Sequence, residues 1–110
     1  MISVVIPTLN EEQQLARVLP ILQQSGVAEI IVVDGGSCDQ TRELAASLGA
    51  KVLRGKPGRG IQMAVGARVA QSEIVLFLHA DTIPPSEFTA EITTIMANPR
   101  NVVGAFQLGI

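Results

Sequence analysis

The sequence has no tryptophan and no tyrosine, only three phenylalanines, and a single cysteine and a single histidine in 110 residues. With aromatics at 3% and hydrophobic residues at 47%, a core is affordable but must be built from Val, Ile, Leu and Ala. Cys38 alone cannot staple the fold, which points to a reducing compartment. One His and one Cys also leave no ligand set for a zinc site. An excess of positive charge is missing too. The net charge is −2, so no nucleic-acid partner is expected, because that would want a basic face.

Targeting signals are lacking as well. The first ten residues carry no basic leader, and their apolar run is too short for a signal peptide. The apolar stretch 74–78 is far too short to span a bilayer, so no membrane segment is evident in the 110 residues. The expectation is a soluble, cytoplasmic chain of one domain, with no repeat, low-complexity tract or linker.

What is present is an alternation. Short apolar runs occupy 2–6, 29–33, 51–53, 74–78 and 102–106. Runs without polar interruption describe strands covered on both faces. Helical patterns lie between them. The first starts at Asn10-Glu11-Glu12-Gln13, which has the form of a capping box, and sets Leu15, Val18, Leu19 and Leu22 on one face. Pro20 should kink this helix or end it early. Further helices are expected over 39–48, closed by Gly49, over 60–71 and over 85–97. Such alternation predicts an α/β fold with a mostly parallel sheet and helices on both faces.

Open sheets of this kind bind ligands at the carboxyl ends of their strands. That rule selects Pro7-Thr8-Leu9-Asn10, Asp34-Gly35-Gly36-Ser37, the loop 54–60 and His79-Ala80-Asp81, which are polar, charged or glycine-rich. Asp34 can accept bonds from a base or ribose, or simply form a turn with its glycines, and both readings stand. Ser37 and Asp39 read as caps of the second helix. The loop sets Arg54, Lys56 and Arg59 among Gly55, Gly58 and Gly60, which suits a phosphate but also describes a solvated loop. No Gly-Lys-Ser/Thr closes it, so it is not a Walker loop. The dinucleotide motif Gly-x-Gly-x-x-Gly is missing after the first strand, and no Gly-x-Ser-x-Gly elbow exists for a hydrolase. His79 and Asp81 are two apart. In an extended segment they would point the same way and could share a hard divalent cation, though a hydrogen-bonded histidine at the sheet edge is the plainer reading. Met63 and Met96 read as packing residues, and Cys38 as a tolerated loop position.

Taken together, Val4-Val5-Ile6-Pro7-Thr8-Leu9-Asn10-Glu11-Glu12, Val32-Val33-Asp34-Gly35-Gly36-Ser37, Gly58-Arg59-Gly60 with Gly66, and Leu76-Phe77-Leu78-His79-Ala80-Asp81 resemble the family-two inverting glycosyltransferases of the Rossmann-like GT-A fold. The resemblance implies that Pro7, Thr8, Glu11 and Asp34 contact the nucleoside of a nucleotide-diphosphate sugar, with Gly35 and Ala80 in the same binding set. It implies Arg59 and Gly60 near the base and phosphates. Asp81, with His79, would hold Mn²⁺ or Mg²⁺. His79 stands where the family usually has an aspartate, and Ala64 where an asparagine is common.

The family also implies an acceptor-binding half that carries the catalytic base beyond residue 110. The expectation is therefore a nucleotide-sugar-binding portion over 1–110, truncated, that binds nucleotide but transfers sugar poorly alone and tends to self-associate. Glu87 and Glu91 read as surface helix residues rather than the base. Uridine diphosphate is the donor nucleotide the family suggests, and the acceptor is unknown. Two other functions compete: a non-catalytic binding or assembly module on a degenerate scaffold, and a sugar nucleotidyltransferase, which Thr8-Leu9-Asn10-Glu11 matches poorly.

Overall fold

The structure is a computed structural model that describes residues 1–84 and Thr89. Seven elements follow in order: β1 (Ile2–Thr8), α1 (Glu12–Gln23), β2 (Glu29–Asp34), α2 (Thr41–Ser47), β3 (Lys51–Arg54), α3 (Arg59–Val69) and β4 (Ile74–Phe77). The strands form one parallel sheet in the order β3-β2-β1-β4. The expected α/β architecture is what forms. The helix expected over 85–97 and the strand expected over 102–106, with Glu87, Glu91 and Met96, lie outside the described residues.

Alternation along the strands divides the apolar side chains between two layers. Ile2, Val4, Ile6, Ile30, Val32, Leu76 and Leu78 face α1 and α2, where Leu15, Val18, Leu19, Leu22 and Ala45 meet them. Val5, Ile31 and Val33 face the other way and pack with Val65 of α3 and with Val75 and Phe77. Helices therefore cover both faces. Leu15, Leu19 and Leu22 are all fully buried, each contributing roughly 1.5–3 kcal/mol by its removal from water. That stripe, more than any cap, makes α1.

Three local expectations are corrected. The capping box does not form. The N-cap of α1 is Glu11, no side chain caps it, and Asn10 instead takes a left-handed conformation with φ 54°. Asn is among the few non-glycine residues that visit that region readily, and its amide is used elsewhere. Pro20 does not end α1, which runs on to Gln23. Its missing N–H removes one helix bond, and the buried leucines on either side outweigh that loss. Ser37 does not cap α2, because its hydroxyl binds Asp34 and the Asn10 amide. Asp39 does serve the start of α2, accepting the Thr41 N–H at 2.9 Å. Gly49, at φ 87°, closes that helix as expected.

The chain steps outward from β1 through β2 to β3, then returns to the far side of β1 as β4. The switch point is thus between β1 and β4. The β1–β4 pairing ends at Val5↔Phe77, while β1 continues beside β2 to Thr8↔Asp34. Pro7 lies two residues past the last β4 pair, where no neighbouring strand needs its missing N–H.

Candidate nucleotide-binding site at the sheet switch point

The carboxyl ends of β1 and β2 are laced together by side chains. Asp34 is fully buried, and its carboxylate is saturated. Oδ2 accepts the Gly36 and Ser37 amides at 3.0 and 2.8 Å. Oδ1 accepts the Ser37 hydroxyl in a very short bond and the Thr8 hydroxyl at 3.3 Å. Arg42 of α2 adds a cation 3.6 Å from Oδ2. Burial pushes the Asp34 carboxyl up, but the Ser37, Gly36 and Thr8 donors outweigh it and hold the group below its ordinary value. Both sequence readings of Asp34 place it at this strand end, and the turn-forming one is what its bonds display.

The turn after β1 is built against the turn after β2. The Asn10 amide donates to Ser37 Oγ at 2.8 Å, and Asn10 Oδ1 accepts the Cys38 N–H at 2.7 Å. The Glu11 amide donates to Thr41 Oγ1 at 3.0 Å, and Glu11 Oε1 accepts the Leu9 N–H at 3.1 Å. Thr8, 1% exposed, receives on its carbonyl the Gly35 N–H at 2.9 Å. The Gly55 amide then donates to the Asp34 carbonyl at 2.9 Å, which ties the third loop to the second.

Glu11 is where the loops meet. Burial raises its carboxyl above the ordinary value. The Leu9 N–H opposes that, the Asp81 charge adds to it, and the charges of His79 and Arg59 oppose it. A half-buried carboxylate from the β1 turn thus senses two residues from the end of β4 and the cation that starts α3. Arg54, Lys56, Arg59 and Gly60 of the third loop and the start of α3 are all exposed.

His79 and Asp81 are not in extended backbone. The Thr82 N–H returns to the His79 carbonyl at 3.0 Å, so Ala80 and Asp81 form a turn, and the two-residue spacing no longer sets their side chains parallel. Asp81 is exposed, His79 half-buried, and Ala80, at 2%, belongs to the core beneath the turn. Among the described residues, no group of three His, Cys, Asp or Glu side chains could hold a metal ion. A hard cation that keeps waters and takes phosphate oxygens needs only one or two protein carboxylates, and Asp81 presents one exposed carboxylate at this turn.

The sequence profile of glycosyl transferase family 2 matches residues 3–109. The chain belongs to that family. Glycosyltransferase AglJ of Haloferax volcanii is 33% identical over 108 residues, covering 94% of this chain and 35% of that protein. The 4,4'-diaponeurosporenoate glycosyltransferase of Staphylococcus haemolyticus is 38% identical over 99 residues, covering 82% of this chain and 26% of its own. Among solved structures, the glucosyl-3-phosphoglycerate synthase of Mycobacterium tuberculosis in complex with Mn²⁺ and uridine-diphosphate-glucose superposes with a TM-score of 0.75. It is 30% identical and covers 91% of this chain and 40% of that one. The family 2 chain described here spans roughly a third of the length of the first curated relatives it matches, from 26% to 35%. Among its described residues, no helix is long and apolar enough to cross a membrane.

Two side chains important to the site went unread in the sequence. Arg42 lay in a helix assigned no ligand or turn role. Gln62 is 5% exposed on the sheet-facing side of α3, one turn before the buried Gly66. A polar residue on a buried stripe was the signal available for it.

Proposed function

We propose that this chain is the nucleotide-sugar-binding portion of a glycosyltransferase that uses a uridine-diphosphate sugar and inverts the anomeric centre. The observation that carries the reading is the convergence at Glu11. The carboxylate of the β1 turn feels the charges of Asp81 and His79 from the end of β4 and of Arg59 from the start of α3, at the switch point of a parallel sheet. The mycobacterial relative, crystallised with Mn²⁺ and uridine-diphosphate-glucose, supports the ligand class.

In this reading Pro7, Thr8, Glu11, Asp34 and Gly35 face the nucleoside. Asp34 has no free lone pair, so a base or ribose N–H or O–H reaches it by displacing its longest bond, the 3.3 Å contact from Thr8. Arg59 and Gly60 receive the phosphates at the N-terminus of α3, where cation, glycine amides and helix dipole all favour an anion. Ala80 contributes its turn. Asp81, with His79, holds the divalent cation, Mn²⁺ or Mg²⁺. When bound, that ion supplies Lewis-acid stabilisation of the negative charge on the diphosphate. The acceptor hydroxyl attacks the anomeric carbon opposite the departing diphosphate, forming one C–O bond as the other breaks, and gives up its proton to the general base expected beyond residue 110.

Calorimetric titration with uridine diphosphate, with and without Mn²⁺, tests this. Binding that needs the metal and is lost in Asp81→Ala is the expected outcome. Binding indifferent to both would favour a degenerate binding module. No binding of uridine, guanosine or thymidine diphosphate under either condition would sink the proposal.

A further inference from the structure

Gln62 joins three parts of the fold through one planar group. Nε2 donates to the Thr8 carbonyl at 2.9 Å and to the Val33 carbonyl at 2.8 Å, so it bridges β1 and β2 at their carboxyl ends. Oε1 accepts the Gly58 N–H at 3.1 Å, which reaches into the glycine loop. Gly58 is the N-cap of α3, with φ 139°, and immediately precedes Arg59. Gly35 leaves the room this requires: a Cβ there would lie 3.1 Å from Gln62 Nε2 and 3.2 Å from its Cδ.

We propose that Gln62 is a positioning residue that latches residues 58–60 to the ends of β1 and β2, and so presets Arg59 and the neighbouring amides for a diphosphate. This rests on the nucleotide-binding reading above. A side chain needed only for packing at this depth would be apolar, like Val65 in the same layer. Here all three hydrogen-bonding atoms of the amide instead meet backbone groups from three separate segments. Fixing a loop before its ligand arrives removes an ordering cost from binding.

The test pairs amide hydrogen exchange by NMR with titration of uridine diphosphate in Mn²⁺, on the wild-type chain, Gln62→Met and Gln62→Glu. The Gly58 amide should be protected in the wild type and exchange faster in Gln62→Met. The Gly55 amide, bonded to the Asp34 carbonyl and not to Gln62, should keep its protection and report an intact fold. Nucleotide affinity should fall roughly tenfold, the factor expected from about 1.4 kcal/mol of lost preorganisation. Gln62→Glu keeps an acceptor for Gly58 but loses both donors to the strands, and should weaken binding likewise. It decides the matter if the Met variant does not fold. Unchanged Gly58 exchange in Gln62→Met overturns the latch. Full affinity in both variants, beside a wild type that binds, overturns this inference alone. A wild type that binds no nucleotide sinks the proposed function and this inference with it.

Discussion

Asp34 shows how one side chain can set a turn and limit what a ligand does there. Four donors and a guanidinium converge on a carboxylate with no exposed surface. Asp34→Asn keeps the shape but turns an amide NH₂ toward donors. The expected cost is about 1–3 kcal/mol, read as a lower urea midpoint, because buried N–H groups lose their acceptor. Thr8→Val removes only the longest of these bonds and should cost about 0.5–1 kcal/mol in the same measurement. Equal losses in the two variants would mean that the turn does not depend on the charge. The sequence placed Asp34 at a strand end without saying how its lone pairs were filled. Those partners come from Thr8, 26 residues away, and from Ser37 and Arg42, whose own roles depend on where β2 ends.

At the scale of elements, α3 comes close to the sheet at Gly66. A Cβ there would lie 2.3 Å from Val5 Cγ1 and 3.2 Å from Val33 Cγ2, and both valines are fully buried. Both side chains are β-branched, stiff at χ1 and buried, so retreat is costly. Gly66→Ala should therefore destabilise the chain by about 1–3 kcal/mol, although alanine is the better helix former. Thermal unfolding checks this, and a rise in midpoint would contradict the packing described. The strands and helices of residues 1–84 were legible because period-2 and helical stripes of Val, Ile and Leu dominate them. Their termini were less so. Asn10 and Ser37 carry the residue types of helix caps, yet each is drawn into a bond with the other turn. Local propensity cannot foresee such a partner. The His79–Asp81 turn failed for a related reason: β4 pairs only to Phe77, so the backbone is free to turn two residues later.

The whole molecule should be sensitive to acid. At the amino end of the sheet, Glu29 accepts the Gln71 N–H at 2.6 Å, Lys51 Nζ at 2.9 Å and the Ser3 hydroxyl at 2.6 Å. The Gln71 amide leads, with Lys51 and Ser3, in lowering its carboxyl to about 2. A carboxyl depressed on folding stabilises the native state above its unfolded value. That contribution is lost as pH falls through the folded value. Urea midpoints should therefore decline from about pH 4.5 down to about 2. In Glu29→Gln the stability at neutral pH should be lower by about 2 kcal/mol and the acid decline shallower, because bonds to a charged acceptor are replaced by weaker ones. A decline of unchanged steepness in that variant would assign the acid response to other carboxyls. Ser3, Glu29 and Lys51 were read in the sequence as strand residues and Gln71 as the end of a helix, since a clasp over four segments has no local pattern.

Ser3↔Glu29 and Thr8↔Asp34 are register partners at the two ends of the β1–β2 ladder, and both pairs are hydrogen-bonded through their side chains. Between them lie only Val4, Val5, Ile6 and Pro7 on one strand and Ile30, Ile31, Val32 and Val33 on the other. The two strands are thus gauged by residue count as well as by the hydrophobicity of their faces. Apolar exchanges within this interval leave the gauge unchanged. Inserting or deleting one residue in either strand would shift one clasp out of reach and turn the following side chains to the opposite layer. Descendants of this gene should then vary in the letters of these two stretches far more freely than in their length.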